Sequence, residues 1–149
     1  MRPWKRKKVI GRTDCADFPL LKLKEVSIKI DTGAYTSSIH CDSIEEIKKK
    51  NKKVIRFVLL DPYHSQYKKK PIETTEFEVK TVRNSFGQDE ERYVISTEII
   101  LFNQIFDIDL SLSDRSDMKY PILIGRKLLA DRFVVDVTKT NLSLKFKGK

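Results

Sequence analysis

Residues 26–34 read VSIKIDTGA, an alternating apolar stretch that runs into an acid, a hydroxyl, a glycine and a small residue. The residues able to do chemistry are Asp31, Thr32 and Gly33, with Ala34 and Tyr35 following. Gly33 permits a tight turn and lets another backbone come close. The Thr32 hydroxyl can bond to backbone beside the acid, so the segment reads as a rigid loop presenting one carboxylate. One carboxylate is a weak catalyst. Two within hydrogen-bond reach share a proton, because both cannot ionise at that distance. One then acts as base on a water while the other protonates a carbonyl oxygen. The D-T-G triplet occurs once in the 149 residues, which are too few for two lobes. A pair must therefore come from two identical subunits about a two-fold axis, an isologous homodimer.

Other catalytic constellations are poorly represented. The five glycines, at 11, 33, 87, 125 and 148, form neither a P-loop nor a GxGxxG, so a standard nucleotide cradle is excluded. No GxSxG elbow supports a serine nucleophile. There is no HExxH and no spaced Cys/His quartet. His40, Cys41 and Asp42 are adjacent, but successive strand side chains point to opposite faces and chelate one ion poorly. No metal and no cofactor are expected, and His40 reads as a structural hydrogen-bonder. Cys15 and Cys41 build no disulfide framework and are expected as free thiols.

The elements that must position the acid are mostly strands. VSIKI (26–30), VIRFVLL (54–60), FEVKTV (77–82), RYVISTEIIL (92–101), FDIDLSL (106–112), FVVDV (133–137) and LSLKF (142–146) are rich in β-branched and aromatic residues. Turn signals at Asp61-Pro62, 84–87, Asn103 and Asn141 separate them. SIEEIKKKN (43–51) is expected as a short helix or a charged loop, and GRKLLADR (125–132) as one short helix with Leu128 and Leu129 facing inward. The expectation is an all-β fold, a closed or partly closed barrel with one short late helix, in a single domain over 1–149 with a basic segment at 1–8.

The chain is 40% hydrophobic and 34% charged, with no apolar run near the roughly 20 residues that span a bilayer. MRPWKRKKVIGR has the charge of a signal peptide without an apolar segment after it, so a cytoplasmic location is expected. The net charge of +9 suggests an acidic partner. Its lysine runs, at 48–50, 52–53 and 68–70, carry no RNA-binding aromatic motif. They read as solvated loops, with an acidic substrate as the second option and nucleic acid or ribosome as a third.

Downstream, PILIGRKLL (121–129) places an apolar strand, a glycine, an arginine and a short helix in succession. DTGA followed by ILIGR-x-LL resembles the retroviral-type aspartic peptidases, the retropepsins. IGR (10–12), KIDTGAYTSSIH (29–40), SFGQDEERYVI (85–95), LSDRSDMKYPILIGRKLL (112–129) and FVVDV (133–137) together resemble one cytosolic bacterial and archaeal retropepsin-like group, over nearly the whole chain. That group carries the inherited label of an ATP-dependent zinc protease, and its members are often associated with ATP-grasp ligases that add glutamate tails to ribosomal protein. The resemblance implies an aspartic endopeptidase that trims acidic or glutamate-tailed peptides. The alternatives are an inactive binding module of the same fold and a zinc-dependent peptidase, as the label says.

By this resemblance Asp31 is the catalytic carboxylate, Thr32 bonds across the dimer axis, and Gly33 offers its backbone to substrate. Ala34 and Tyr35 border the substrate groove, and Arg92 and Arg115 bind substrate carboxylates or form ion pairs. Ile124 and Gly125 pack on the site loop. Arg126 corresponds to a structural arginine usually paired with an acid just after DTGA, a position held here by Tyr35. The segment 84–92 corresponds to the flap. Ala34 has no hydroxyl with which to stabilise charged carboxylates, so activity is expected at mildly acidic to neutral pH.

Overall fold

A computed structural model describes residues 6–83, 86–114 and 119–147. Among these residues the chain is mostly strands, as the patterning predicts, with two short α-helices where one was expected and a 3-10 turn at Pro19–Leu21. The strands are β1 (Lys8–Ile10), β2 (Thr13–Phe18), β3 (Leu23–Ile30), β4 (Ser37–Lys49), β5 (Lys52–Leu59) and β6 (Ile72–Thr74). They continue with β7 (Glu78–Arg83), β8 (Asp89–Leu101), β9 (Gln104–Ser113), β10 (Ile122–Ile124) and β11 (Phe133–Val135). The helices are α1 (Arg126–Leu129) and α2 (Leu142–Lys147). The chain divides into two compact units, one from Met1–Ser37, Thr97–Ile108 and Tyr120–Lys149, the other from Ser38–Ser96 and Asp109–Lys119.

In the first unit β3 lies between β2, antiparallel to it, and β10, parallel to it. Val26, Ile28 and Ile30 face inward while Ser27 and Lys29 face out, the period-2 pattern read from the sequence. Each such side chain, fully buried, contributes about 2 kcal/mol of transfer free energy. They pack in a core with Ile10, Phe18, Ile99, Leu101, Ile122, Ile124, Leu128, Leu129 and Phe133. The register between β2 and β3 shifts after Ala16, and Glu25 takes a φ of 47° there. Its N–H donates to Asp17 Oδ1 at 2.7 Å, so a side chain satisfies the group that the ladder gives up. β1 and β11 pair in parallel, with Val9 opposite Val134.

In the second unit β5 pairs with β4 and β6, and β7 with β8. Ile39, Cys41, Ile55, Phe57, Leu60, Leu110 and Leu112 form its core. Residues 43–51 are neither helix nor charged loop. They are the end of β4 and a two-residue turn, with Ile44 opposite Phe57 and Ile47 opposite Val54. Lys50 (φ 50°) and Asn51 (φ 65°) give the turn its hand, which matches the twist of a hairpin. Pairing with β5 overrides the local preference of Glu and Lys for helix.

The segment 142–146, expected as a strand, is instead most of α2. Asn141 turns the chain at φ 58°, and Asp14, 2% exposed, accepts the N–H groups of Ser143 (2.8 Å) and Leu144 (3.1 Å). A carboxylate at a helix start satisfies orphan donors. Ser143 is buried and its Oγ accepts the Phe102 N–H at 2.8 Å. The alternation in LSLKF places no strand because the donors it would use are already claimed by Asp14.

Candidate active site

Asp31 stands one residue past β3, where the parallel pairing with β10 extends a further step: its N–H donates to the Ile124 carbonyl at 2.8 Å. The chain then turns back on itself. The Ala34 N–H reaches the Asp31 carbonyl at 3.2 Å, and the Gly33 N–H donates to Asp31 Oδ1 at 3.0 Å. A side chain at position 33 would place its Cβ 3.3 Å from that same Oδ1. Gly33 thus allows a main-chain donor to sit against the carboxylate. Asp31 is half-buried, and Thr32 and Gly33 are exposed.

The segment after β10 clamps the other side of the loop. The N–H groups of Arg126 and Lys127 donate to the carbonyls of Ala34 (2.8 Å) and Tyr35 (2.9 Å). Gly125 N–H donates to Ser37 Oγ at 2.9 Å, and both residues are buried. A Cβ on Gly125 would lie 2.6 Å from the Tyr35 carbonyl oxygen and 2.9 Å from that of Ala34. Only glycine fits, and the reason is close approach rather than a special φ, which is −95°. The Arg126 guanidinium donates through Nη1 to the Thr32 carbonyl at 2.9 Å and lies over the exposed Tyr35 ring, 5.9 Å from its centroid.

Of the residues singled out from sequence, Asp31, Thr32, Gly33, Ala34, Tyr35, Ile124, Gly125 and Arg126 are thus brought into one backbone-bonded cluster. Arg126, whose usual acid partner is replaced by Tyr35, holds the Thr32 carbonyl and the Tyr35 ring. Arg92 belongs to the second unit, where its Nη2 donates to Glu90 Oε1 at 2.8 Å. Arg115 lies outside the described residues, as do Asn84 and Ser85 of the flap segment. The rest of that segment includes the exposed Phe86 and Gly87 (φ 78°) before β8. Ser37 was not anticipated. The alternation Ser37, Ile39, Cys41 on the buried side of β4 was the available signal.

His40, Cys41 and Asp42 do not converge. His40 is buried with its Nδ1 unpartnered, and burial pushes the Cys41 thiol up to about 12. Asp42 instead accepts from the Tyr67 hydroxyl at 2.8 Å. Among the described residues no three His, Cys, Asp or Glu side chains are grouped to hold a metal ion. Nor is any helix there long and apolar enough to cross a membrane.

A sequence model of the RimB-like family, described as retropepsin-like aspartic endopeptidase RimB, matches residues 9–145. The chain belongs to the RimB-like family. The family is the one that the DTGA and ILIGR segments pointed to, and it agrees with the strand-rich fold. Among similar proteins, the probable alpha-L-glutamate ligase of Desulfotalea psychrophila is 31% identical over 134 residues, covering 87% of this RimB-like chain and 28% of that protein. The probable alpha-L-glutamate ligase of Shewanella pealeana is 29% identical over 132 residues, covering 89% of this chain and 29% of that protein. The RimB-like chain therefore spans less than a third of these curated relatives. The crystal structure of Lpg0085 from Legionella pneumophila, a protein of unknown function, superposes with a TM-score of 0.71 at 28% identity, covering 91% of this chain and 98% of that one.

Proposed function

We propose that this RimB-like chain hydrolyses peptide bonds with two Asp31 carboxylates, one from each of two copies, and that its substrates are acidic or glutamate-tailed peptides. The observation that carries this is the main-chain clamp on the Asp31 loop: the acid is bonded to β10 and to the Gly33 N–H, and the loop is locked by Gly125. A carboxylate whose backbone is fixed on several sides is preorganised for chemistry. The exposure of Thr32 and Gly33 beside it leaves that loop available to a second copy.

In the reaction one carboxylate takes a proton from water, whose oxygen bonds to the scissile carbonyl carbon. The other gives its proton to the carbonyl oxygen. The tetrahedral diol collapses as the nitrogen takes a proton, the C–N bond breaks, and an acid and an amine leave. The net charge of +9 supports an acidic substrate, as does the glutamate in the relatives' names.

The test is cleavage of a mixed peptide library and of glutamate-tailed peptides, read by mass spectrometry. Wild type and Asp31→Asn are compared with and without a chelator, across pH and protein concentration. The expected result is cleavage lost in Asp31→Asn, indifferent to chelator, best at mildly acidic to neutral pH, and rising more steeply than linearly with protein concentration. Chelator-sensitive cleavage, or cleavage that survives Asp31→Asn, overturns the reading.

A further inference from the structure

We propose that Arg126 is a receptor for a substrate carboxylate, built into the same loop that holds Asp31. The inference rests on the reading of Asp31 as the peptide-cleaving group. By the resemblance an arginine in this place pairs with an acid just after the DTGA, and here Tyr35 stands in that position. Among the described residues the Arg126 guanidinium makes one hydrogen bond, to the Thr32 carbonyl, and no ion pair. It is exposed, so this charge faces water with most of its donors unused.

Its geometry suits recognition. The Thr32 carbonyl anchors Nη1, and the Tyr35 ring supports the planar group. That leaves the edge formed by Nε and Nη2, which binds a carboxylate side-on through two parallel bonds. Two anchors reduce the rotamer freedom that a long side chain would otherwise lose on binding. The anchoring carbonyl belongs to the residue directly after Asp31, so the receptor is tied to the same turn that holds the proposed catalytic acid. An extended substrate advances about 3.4 Å per residue. The bound carboxylate therefore belongs to a residue close to the scissile bond. It is either an Asp or Glu side chain or the α-carboxylate of the peptide's own C-terminus.

The experiment separates these sources and does not depend on turnover. Three fluorescent peptides are titrated into Asp31→Asn protein by anisotropy: a glutamate peptide with an amidated C-terminus, its glutamine analogue with an amidated C-terminus, and the glutamine analogue with a free C-terminus. The same titrations follow in Asp31→Asn combined with Arg126→Gln or with Arg126→Lys. Losing a charge-assisted bidentate contact weakens binding about 10- to 100-fold. That loss is expected for a carboxylate-bearing probe on Arg126→Gln, with the amidated glutamine probe unmoved and Arg126→Lys recovering only part. Loss confined to the glutamate probe identifies a side-chain carboxylate. Loss confined to the free-terminus probe identifies the α-carboxylate.

Equal losses for all three probes reduce Arg126 to a clamp on the loop and overturn the proposal. So does a wild-type receptor background that binds neither carboxylate probe better than the amidated glutamine peptide. If thermal melting shows Arg126→Gln unfolded, Arg126→Lys decides, since a point charge keeps the attraction but not the fork. Wild-type cleavage assays separate the two readings. Carboxylate binding that depends on Arg126 without any cleavage leaves the receptor standing and removes the peptidase. Cleavage by a protein whose Arg126 ignores carboxylates does the reverse.

Discussion

The loop from Asp31 to Ser37 packs on one glycine, Gly125, and the chain entering β8 contains another, Gly87, yet the two glycines serve for different reasons. At the first, four main-chain N–H groups are spent on fixing position: Asp31 to Ile124, Arg126 to Ala34, Lys127 to Tyr35 and Gly125 to Ser37. Gly125 is buried against carbonyls and has no room for a methyl group. At the second, Gly87 has a φ of 78° and open space around it, and the flanking Arg83 and Asp89 are an exposed pair at 3.4 Å. Such pairs contribute little and are screened by salt. Position is fixed by several main-chain bonds where a carboxylate must be presented, whereas the backbone at Gly87 takes a left-handed φ with open space where a side chain would stand.

Alanine at the two glycines breaks the comparison open. Gly125→Ala drives a Cβ to 2.6 Å from the Tyr35 oxygen, and the atoms that must give way are backbone atoms of the site loop. The expected cost is about 4 kcal/mol, seen as a large fall in melting temperature and lost activity. Gly87→Ala meets nothing and suffers only the left-handed penalty, about 1 kcal/mol. Comparable melting temperatures for the two variants would remove the distinction between the regions.

The second largest effect lies at Asp14, which does for α2 what the main chain does for the site loop. Its two oxygens accept three N–H groups, those of Cys15, Ser143 and Leu144, from a buried position. Asp14→Ala leaves those donors without a partner and is expected to cost about 3 kcal/mol. Hydrogen exchange should localise the loss to 140–147 and leave the Asp31 loop protected. Equal deprotection of both would show that the C-terminal helix and the site loop open as one unit.

These contrasts explain which parts of the molecule could be read from its residues. β3 and the turn after it were legible because alternation and D-T-G-A are local signals. Gly125 was legible only through the resemblance, which the strand before it and the helix after it carry; the close approach that demands glycine there is seen in the structure. α2 was not, because its stabilising acid lies 129 residues away from Ser143, and within 142–146 the alternation has the period of a strand. The end of β4 failed for a similar reason. Its lysines and glutamates favour helix locally, and only the facing Phe57 and Val54 make them strand. The role of Arg126 could be posed but not answered, since the loss of its usual acid was visible and its new partner, a backbone carbonyl, carries no sequence signal.

The smallest effect is a pH dependence, and it sharpens the contrast by using an acid held by a side chain as well as by main chain. Burial pushes the Asp17 carboxyl up, but the Glu25 N–H and the Lys147 ammonium at 2.9 Å outweigh it and hold the group below its ordinary 3.8. A carboxyl whose folded value is depressed binds protons more readily when unfolded. Its contribution is therefore complete above the unfolded value and fades as pH falls through 3.8 toward the lower folded value. Asp17→Asn should lower the melting temperature slightly at neutral pH, and the difference from wild type should shrink below pH 3.8. Lys147→Met should do the same with a smaller amplitude, because the Glu25 N–H remains to stabilise the anion while the exposed ammonium is already screened. A Lys147→Met effect as large as that of Asp17→Asn would mean that the ion pair, and not the main-chain donor at the bulge, fixes this acid.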